Sequence, residues 1–361
     1  MLKKTDIIIG GEHFFSPSQL FHKSKRYLDN LIHDFKSDYE VNFTFGGHYS
    51  LLAIIDSIKS NFDNDSFVLL PSYLCPTILQ PFKKRGIKYE FYKIDEDLFV
   101  DNDYLISIIN DNVKAVLFID YFGATQLARL QPVLSILRSK KTLIIQDVVQ
   151  CLKISKDQLF GDYIFNSFRK FFPFEGSILL SKEKMLIDFT GKRNKFIIYK
   201  RIVQIIRYFH VKYKLFSSSQ FLCFFKIAED HYGTEDIFRM PKFNQRQINK
   251  YNVEIISNKQ RYYYNQLLDV IDENIPGLLR NNNFIPLGFV INIKQRDQIR
   301  KKLFQQNIFP PIHWLLPVEI NEAEFFESVD LSSKIITIPL VELTDKKFHY
   351  LKTTIIKFLI T

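Results

Sequence analysis

The chain has 361 residues, 46% of them hydrophobic and 24% charged, a composition that excludes disorder and allows a large core plus a smaller second domain. Three cysteines, Cys75, Cys151 and Cys223, form no CxxC pair, which rules out a disulfide framework, and no Cys/His spacing builds a zinc site. A net charge of +10 is compatible with nucleic acid, a membrane surface or an anionic substrate and does not separate them.

Taken in order, the chain opens with Met1-Leu2-Lys3-Lys4-Thr5-Asp6 and Ile7-Ile8-Ile9, too short an apolar run for a signal peptide, so a cytoplasmic location is the expectation. From about 45 to 185, helix-like and strand-like segments alternate with short turns, the pattern of a mainly parallel sheet flanked by helices. Helices are expected at Tyr49–Ser60, Pro76–Arg85, Asp103–Ile109 and Leu127–Ser139. Strands are expected at Ser66–Pro71, Ile87–Tyr92, Lys114–Asp120, Thr142–Asp147, Asp162–Phe168 and Ser177–Leu180. Runs such as Val116-Leu117-Phe118-Ile119 suit strands buried on both faces.

Residues 192–214 carry eight Lys or Arg residues and no acid, interleaved with Ile197, Ile198, Ile202, Val203, Ile205, Ile206 and Phe209. This is a basic amphipathic helix whose charges recur too often for a span. A covering helix with a solvated basic face is the simplest account. An interfacial helix on anionic lipid, or attraction of a nucleotide-linked substrate, are the alternatives. The 36 Phe and 18 Tyr against one Trp reflect AT-rich coding more than a stacking surface and decide nothing about partners; a nucleic-acid role would rest on 192–214 alone and is not expected. Gln245–Asp272 reads as one long helix, followed by a turn at Asn274–Gly277. Segments at Gly288–Ile293, Arg296–Gln306, Ile335–Pro339 and Asp345–Ile360 suit a small α+β domain. The expected division is 1–240, a large α/β domain that includes the basic helical segment 192–230, and 241–361, the small domain.

The residues with chemical potential lie in the first part. Asp147 closes the apolar strand Leu143–Gln146 and therefore sits at the C-terminal edge of the sheet, where ligands bind in open α/β folds. Lys170 follows another strand and is surrounded by Phe168, Phe171 and Phe172, with Arg169 beside it. Desolvation and a neighbouring cation both favour the neutral amine needed for attack on an aldehyde. Gly46-Gly47-His48 opens a helix, and glycines there let backbone N–H groups approach a phosphate. Taken singly, these features are also an ordinary strand end, a solvated turn and a helix cap.

Taken together, they resemble the DegT/DnrJ/StrS sugar aminotransferases, particularly a divergent branch. The matching blocks are Gly47–Leu51, Leu69–Pro76, Gly86–Leu98, Asp120–Gly123, Ile144–Gln150, Ser167–Gly176, Gln260–Tyr263 and Ile308–Trp314, in family order over roughly 45–340. The resemblance implies an α/β fold of the fold-type-I class and pyridoxal 5'-phosphate (PLP) as cofactor. Lys170 would hold it covalently, Asp147 would pair with the pyridine nitrogen, and Gln150 would lie near the ring hydroxyl. Ser167, Gly47 and His48 would hold the phosphate, with Arg169 contributing, and Tyr73, rather than Cys75, would face the ring. His313 and Trp314 would reach the substrate. The implied reaction is amination of a ketosugar, nucleotide-linked, from a donor such as glutamate, in surface-polysaccharide or related sugar biosynthesis, by a homodimer. Two departures stand out: the family has two more residues between its serine and lysine than separate Ser167 from Lys170, and His48 replaces a small hydroxyl or an arginine. The alternatives are a PLP-dependent sugar dehydratase, against which Lys170 argues because such enzymes carry histidine there, and a catalytically degenerate scaffold.

Overall fold

The computed structural model describes residues 7–11, 13, 15, 21–192, 194–213, 215–271, 275–280 and 284–359. The features expected at Met1–Asp6, Arg193, Lys214, Asp272, Asn274 and Ile360 lie outside them. In chain order come β1 (Ile9–Gly10), α1 (Tyr27–Phe35), β2 (Glu40–Thr44), α2 (Gly47–Ile58), β3 (Phe67–Pro71) and α3 (Leu79–Arg85). Next are β4 (Lys88–Tyr92), α4 (Asn102–Ile108), β5 (Val113–Ile119), α5 (Leu127–Ser139), β6 (Leu143–Asp147), β7 (Tyr163–Phe165) and β8 (Ser177–Ser181). Then follow α6 (Lys195–Tyr213), α7 (Ser218–Glu229), α8 (Lys242–Ile248), α9 (Val253–Leu268), β9 (Gly288–Asn292), α10 (Arg296–Phe304), β10 (Ile308–Phe309), α11 (Phe326–Lys334), β11 (Ile335–Pro339) and α12 (Asp345–Leu359).

The main sheet has the order β2-β8-β7-β6-β5-β3-β4. β4, β3, β5 and β6 are mutually parallel, and β2 is antiparallel to β8, so the sheet is mixed with a parallel core. This is the α/β class expected from the alternating elements. The strands fill as their composition demands: Val116, Leu117 and Phe118 on β5 and Ile144 and Ile145 on β6 are all at most 1% exposed. Helix ends follow local chemistry. Asp101 caps α4 by accepting from Tyr104 N–H at 3.0 Å, Gly86 ends α3 at φ +67°, and Ser217 and Gln220 close a capping box on α7. On α5 the buried Leu130, Val133, Leu134 and Leu137 recur every three to four residues, and the helix has the bounds its periodicity predicts.

Two compact units interleave along the chain: one comprises Met1–Gly11, Lys59–Ile164 and Val253–Thr361, the other Glu12–Ile58 and Phe165–Asn252. The 240/241 division expected from sequence lies within the second. In the first unit, β11 pairs antiparallel with β9 and β1 pairs parallel with β10, small sheets built largely from the C-terminal third.

Three expectations are corrected. The long helix over Gln245–Asp272 is two helices, α8 and α9, because Asn249 is committed elsewhere: its Oδ1 accepts from Leu28 N–H at 2.6 Å and its carbonyl accepts from Lys25 N–H at 2.6 Å. The strand over Asp162–Phe168 shortens to β7, since Asp162 turns its carboxylate to Ile144 N–H (2.8 Å) and Phe168–Lys170 form a 3-10 turn. Finally, the covering-helix expectation for 192–214 holds only in part: on α6, Val203 and Ile206 are buried and Lys195, Arg201 and Lys212 are exposed, but Lys200 and Arg207 are buried while Ile198, Ile202, Ile205 and Phe209 face solvent.

Candidate functional site

In the first unit, the ends of β5 and β6 bring two carboxylates to the same sheet edge. Asp147 is buried, its Oδ1 accepting from Val149 N–H at 2.8 Å, and its carbonyl accepts from Asp120 N–H at 3.0 Å. Gln146, fully buried on β6, donates through Nε2 to Asp120 Oδ2 (2.9 Å) and to the Gln158 carbonyl (3.0 Å). Its Oε1 accepts from Phe160 and Gly161 N–H. Both ends of that amide are thereby satisfied, which locks Asp120 in place. Burial first, and the Asp147 carboxylate besides, push the Asp120 carboxyl up to about 8 against the opposing hydrogen bond from Gln146. Asp120 therefore holds a proton at neutral pH.

Gln150, three residues past Asp147, is also buried. Its Oε1 accepts from Phe122 N–H at 2.6 Å, holding Phe122 in a left-handed conformation (φ 56°). Its Nε2 is buried and has no hydrogen-bond partner among the described residues. A buried donor left unmade costs about 1–3 kcal/mol. A ligand oxygen at this position removes that cost, as the phenolic oxygen of a PLP ring would.

Tyr73, at the end of β3, is fully buried, and its hydroxyl donates to the His313 carbonyl. Its ring lies 5.5 Å from Trp314 and 5.6 Å from Tyr121, whose hydroxyl donates to the Tyr73 carbonyl at 2.6 Å. Burial raises the Tyr73 phenol well above its ordinary value, so it stays neutral. His313 Nδ1 sits 2.9 Å from Thr337 Oγ1, and its ring meets Phe122 edge-on at 5.6 Å. The structure thus brings Tyr73, His313 and Trp314 together. Cys75 is half-buried with Sγ 3.0 Å from Thr77 Oγ1.

The second unit carries the other candidates. Ser50 Oγ links Thr44 Oγ1 (2.7 Å) on β2 to Ser177 Oγ (2.8 Å) on β8, a buried hydroxyl chain that seats the start of α2. Gly47 and His48 offer the first N–H groups of this helix, which no preceding turn can satisfy. His48 is half-buried, Nε2 3.4 Å from the Thr234 carbonyl. Gly46 is required by packing: a Cβ there would lie 2.8 Å from Tyr232 Oη, and that ring is itself wedged against Phe196 and Tyr49.

Ser167 is buried at the head of the turn that ends in Lys170. Lys170 is half-buried beside Phe168, Phe171 and Phe172, all at most 4% exposed, and its carbonyl meets His13 Nε2 at 3.2 Å. Arg169 does not stand open to a phosphate: its Nη2 lies 3.4 Å from Glu229 Oε2 and its guanidinium covers Tyr232 at 5.0 Å.

Sequence reasoning gave Asp120 and Tyr121 a place in a matching block but no role, and did not single out Tyr232. Asp120 carries the same signal as Asp147, an acid closing an apolar strand. Tyr232 had no signal, since it is far in sequence from the glycines it packs on.

No family model matches the chain, and no curated protein matches it. Solved structures do. The Helicobacter pylori aminotransferase PseC, involved in the biosynthesis of pseudoaminic acid, superposes with a TM-score of 0.67 at 13% identity over 98% of this chain and 99% of that one. A DegT DnrJ EryC1 StrS aminotransferase from Brucella abortus gives 0.66 at 15% identity over 96% and 91%. NtdA from Bacillus subtilis, with bound cofactor PMP (pyridoxamine phosphate), gives 0.66 at 12% identity over 97% and 79%. The chain has the fold of these aminotransferases.

Proposed function

We propose that this protein is a PLP-dependent aminotransferase that transfers an amino group from a donor such as glutamate to a ketosugar, nucleotide-linked, in surface-polysaccharide or related sugar biosynthesis. The observation that carries the reading is the Asp147–Gln150 turn: a buried carboxylate at the sheet edge and, three residues on, a buried amide Nε2 without a partner among the described residues. That pair suits a heteroaromatic ring bearing a protonated nitrogen and a hydroxyl oxygen. Fold likeness to aminotransferases, one of them with PMP bound, supports the same cofactor here.

In this reading Asp147 would bind the pyridine nitrogen, Gln150 Nε2 would donate to the ring hydroxyl, and Tyr73 would lie against the ring face. Asp120, neutral up to about pH 8, adds no second negative charge. The N–H groups of Gly47 and His48, with Ser167, take the phosphate. Arg169 orders Glu229 and Tyr232 behind them. His313 and Trp314 contact the sugar. When bound, the cofactor supplies an electron sink for charge developing at the donor Cα. Lys170 Nζ would be the amine that holds it and would also serve as the base for the donor Cα proton. The reading includes a cytoplasmic homodimer.

The test is an absorption spectrum of protein purified with PLP, before and after glutamate, beside Lys170→Ala. The expected result is a visible band that needs Lys170 and is bleached by glutamate. No band at saturating PLP, or a band indifferent to Lys170→Ala, overturns the proposal.

A further inference from the structure

The longest helix of the second unit presents the wrong residues to water. Along α6, Ile198, Ile202, Ile205 and Phe209 are 54%, 42%, 55% and 36% exposed. Their spacing of four, three and four places them on one face over about 17 Å of helix. The same helix buries Phe196, Val203 and Ile206 together with Lys200, Gln204 and Arg207, so the exposed stripe is a second apolar face, apart from the side that faces the core. A solvent face should be polar. Lys195, Arg201 and Lys212 are exposed along the borders of the stripe, and α6 contains no Asp or Glu. The neighbouring α7 adds exposed Leu222, Phe224 and Ile227.

Beside the stripe, at Arg201 and Ile205, opens a recess of about 180 Å³ lined by Phe15, Phe45, Phe174 and Phe243. No described helix is long and apolar enough to cross a membrane.

We propose that α6 is an interfacial helix that docks this protein on an anionic lipid bilayer. The apolar stripe lies at the acyl boundary, Lys195, Arg201 and Lys212 meet lipid phosphates, and the recess gives an acyl chain room beside Ile205. Charge selects this partner over a second copy of the chain. In a two-fold contact the same patch faces itself, setting these cations against their own copies with no acid on the helix to answer them, whereas anionic lipid supplies the opposite charge. The inference is independent of the aminotransferase reading and goes beyond it, placing whatever the protein does at a membrane surface.

The test is flotation of the full chain with vesicles of phosphatidylcholine alone or with added phosphatidylglycerol. The protein floats with the anionic vesicles only, and added salt weakens the association. Arg201→Gln with Lys212→Gln lowers the partition coefficient by about twenty-five-fold, about fivefold per cation. Ile198→Ser with Phe209→Ser lowers it at least about tenfold, and a thermal melt of the double variant reads separately any loss from the Phe209 contacts with Tyr208 and Tyr213. No flotation with anionic vesicles, equal flotation with neutral ones, or insensitivity to both double variants overturns the proposal. So does a drop in oligomer mass by light scattering in Ile198→Ser/Phe209→Ser without any vesicle binding by the parent, which makes the stripe a subunit contact.

Discussion

Replacing Asp120 by Asn isolates the electrostatics of the sheet edge. Asn is nearly isosteric with the protonated acid, and its carbonyl can still accept from Gln146 Nε2, which lies 2.9 Å from Asp120 Oδ2. Burial and the Asp147 carboxylate raise the folded Asp120 carboxyl to about 8 from an ordinary 3.8. Between those values the unfolded chain has lost the proton and the folded chain keeps it. The stabilisation from this group is therefore fully present below pH 3.8 and is lost as pH rises to about 8. The slope is about 1.4 kcal/mol per pH unit, so from about pH 5 to pH 7 the parent loses about 2.7 kcal/mol relative to Asp120→Asn. Urea unfolding at a series of pH values measures the difference, and an infrared band of a protonated carboxyl that the variant lacks confirms the group. Parallel stability profiles across that range refute the assignment of the proton to Asp120.

Gly123→Ala should destabilise the first unit by about 3 kcal/mol or more, because Gly123 has φ +98° and an added Cβ would meet the Ile285 carbonyl oxygen at 2.3 Å; a thermal melt within a degree of the parent contradicts this. Lys200→Met removes a cation that is 4% exposed, 3.3 Å from Glu229 and 4.0 Å from the buried Glu175. The expected loss is about 3 kcal/mol, and Lys200→Met with Glu175→Gln should recover part of it in the same unfolding assay; a double variant no better than the single one rejects the pairing.

The parallel core of the sheet was legible because its strands are buried on both faces and announce themselves as continuous apolar runs, as in β5 and β6. Strands such as β2, with its Glu-Val-Asn-Phe-Thr composition and mostly half-buried residues, have no such run and depend on antiparallel pairing with β8 far along the chain. Locally encoded site features were visible for the same reason: Asp147 and Gln150 share one turn, and Gly46-Gly47 opens a helix. What sequence could not show was which polar groups are already answered. The partner of Arg169 is Glu229, sixty residues on, and that of Tyr73 is the His313 carbonyl, two hundred and forty away. Periodicity has a matching blind spot on α6. A helix with apolar residues on two sides has two ways to lie, and only one side can face the core. Here the buried side carries Phe196, Val203 and Ile206 and sets Lys200 against Glu175 and Glu229, which leaves Ile198, Ile202, Ile205 and Phe209 outside. The ion pair in the interior and the apolar stripe outside are thus two consequences of one helix orientation.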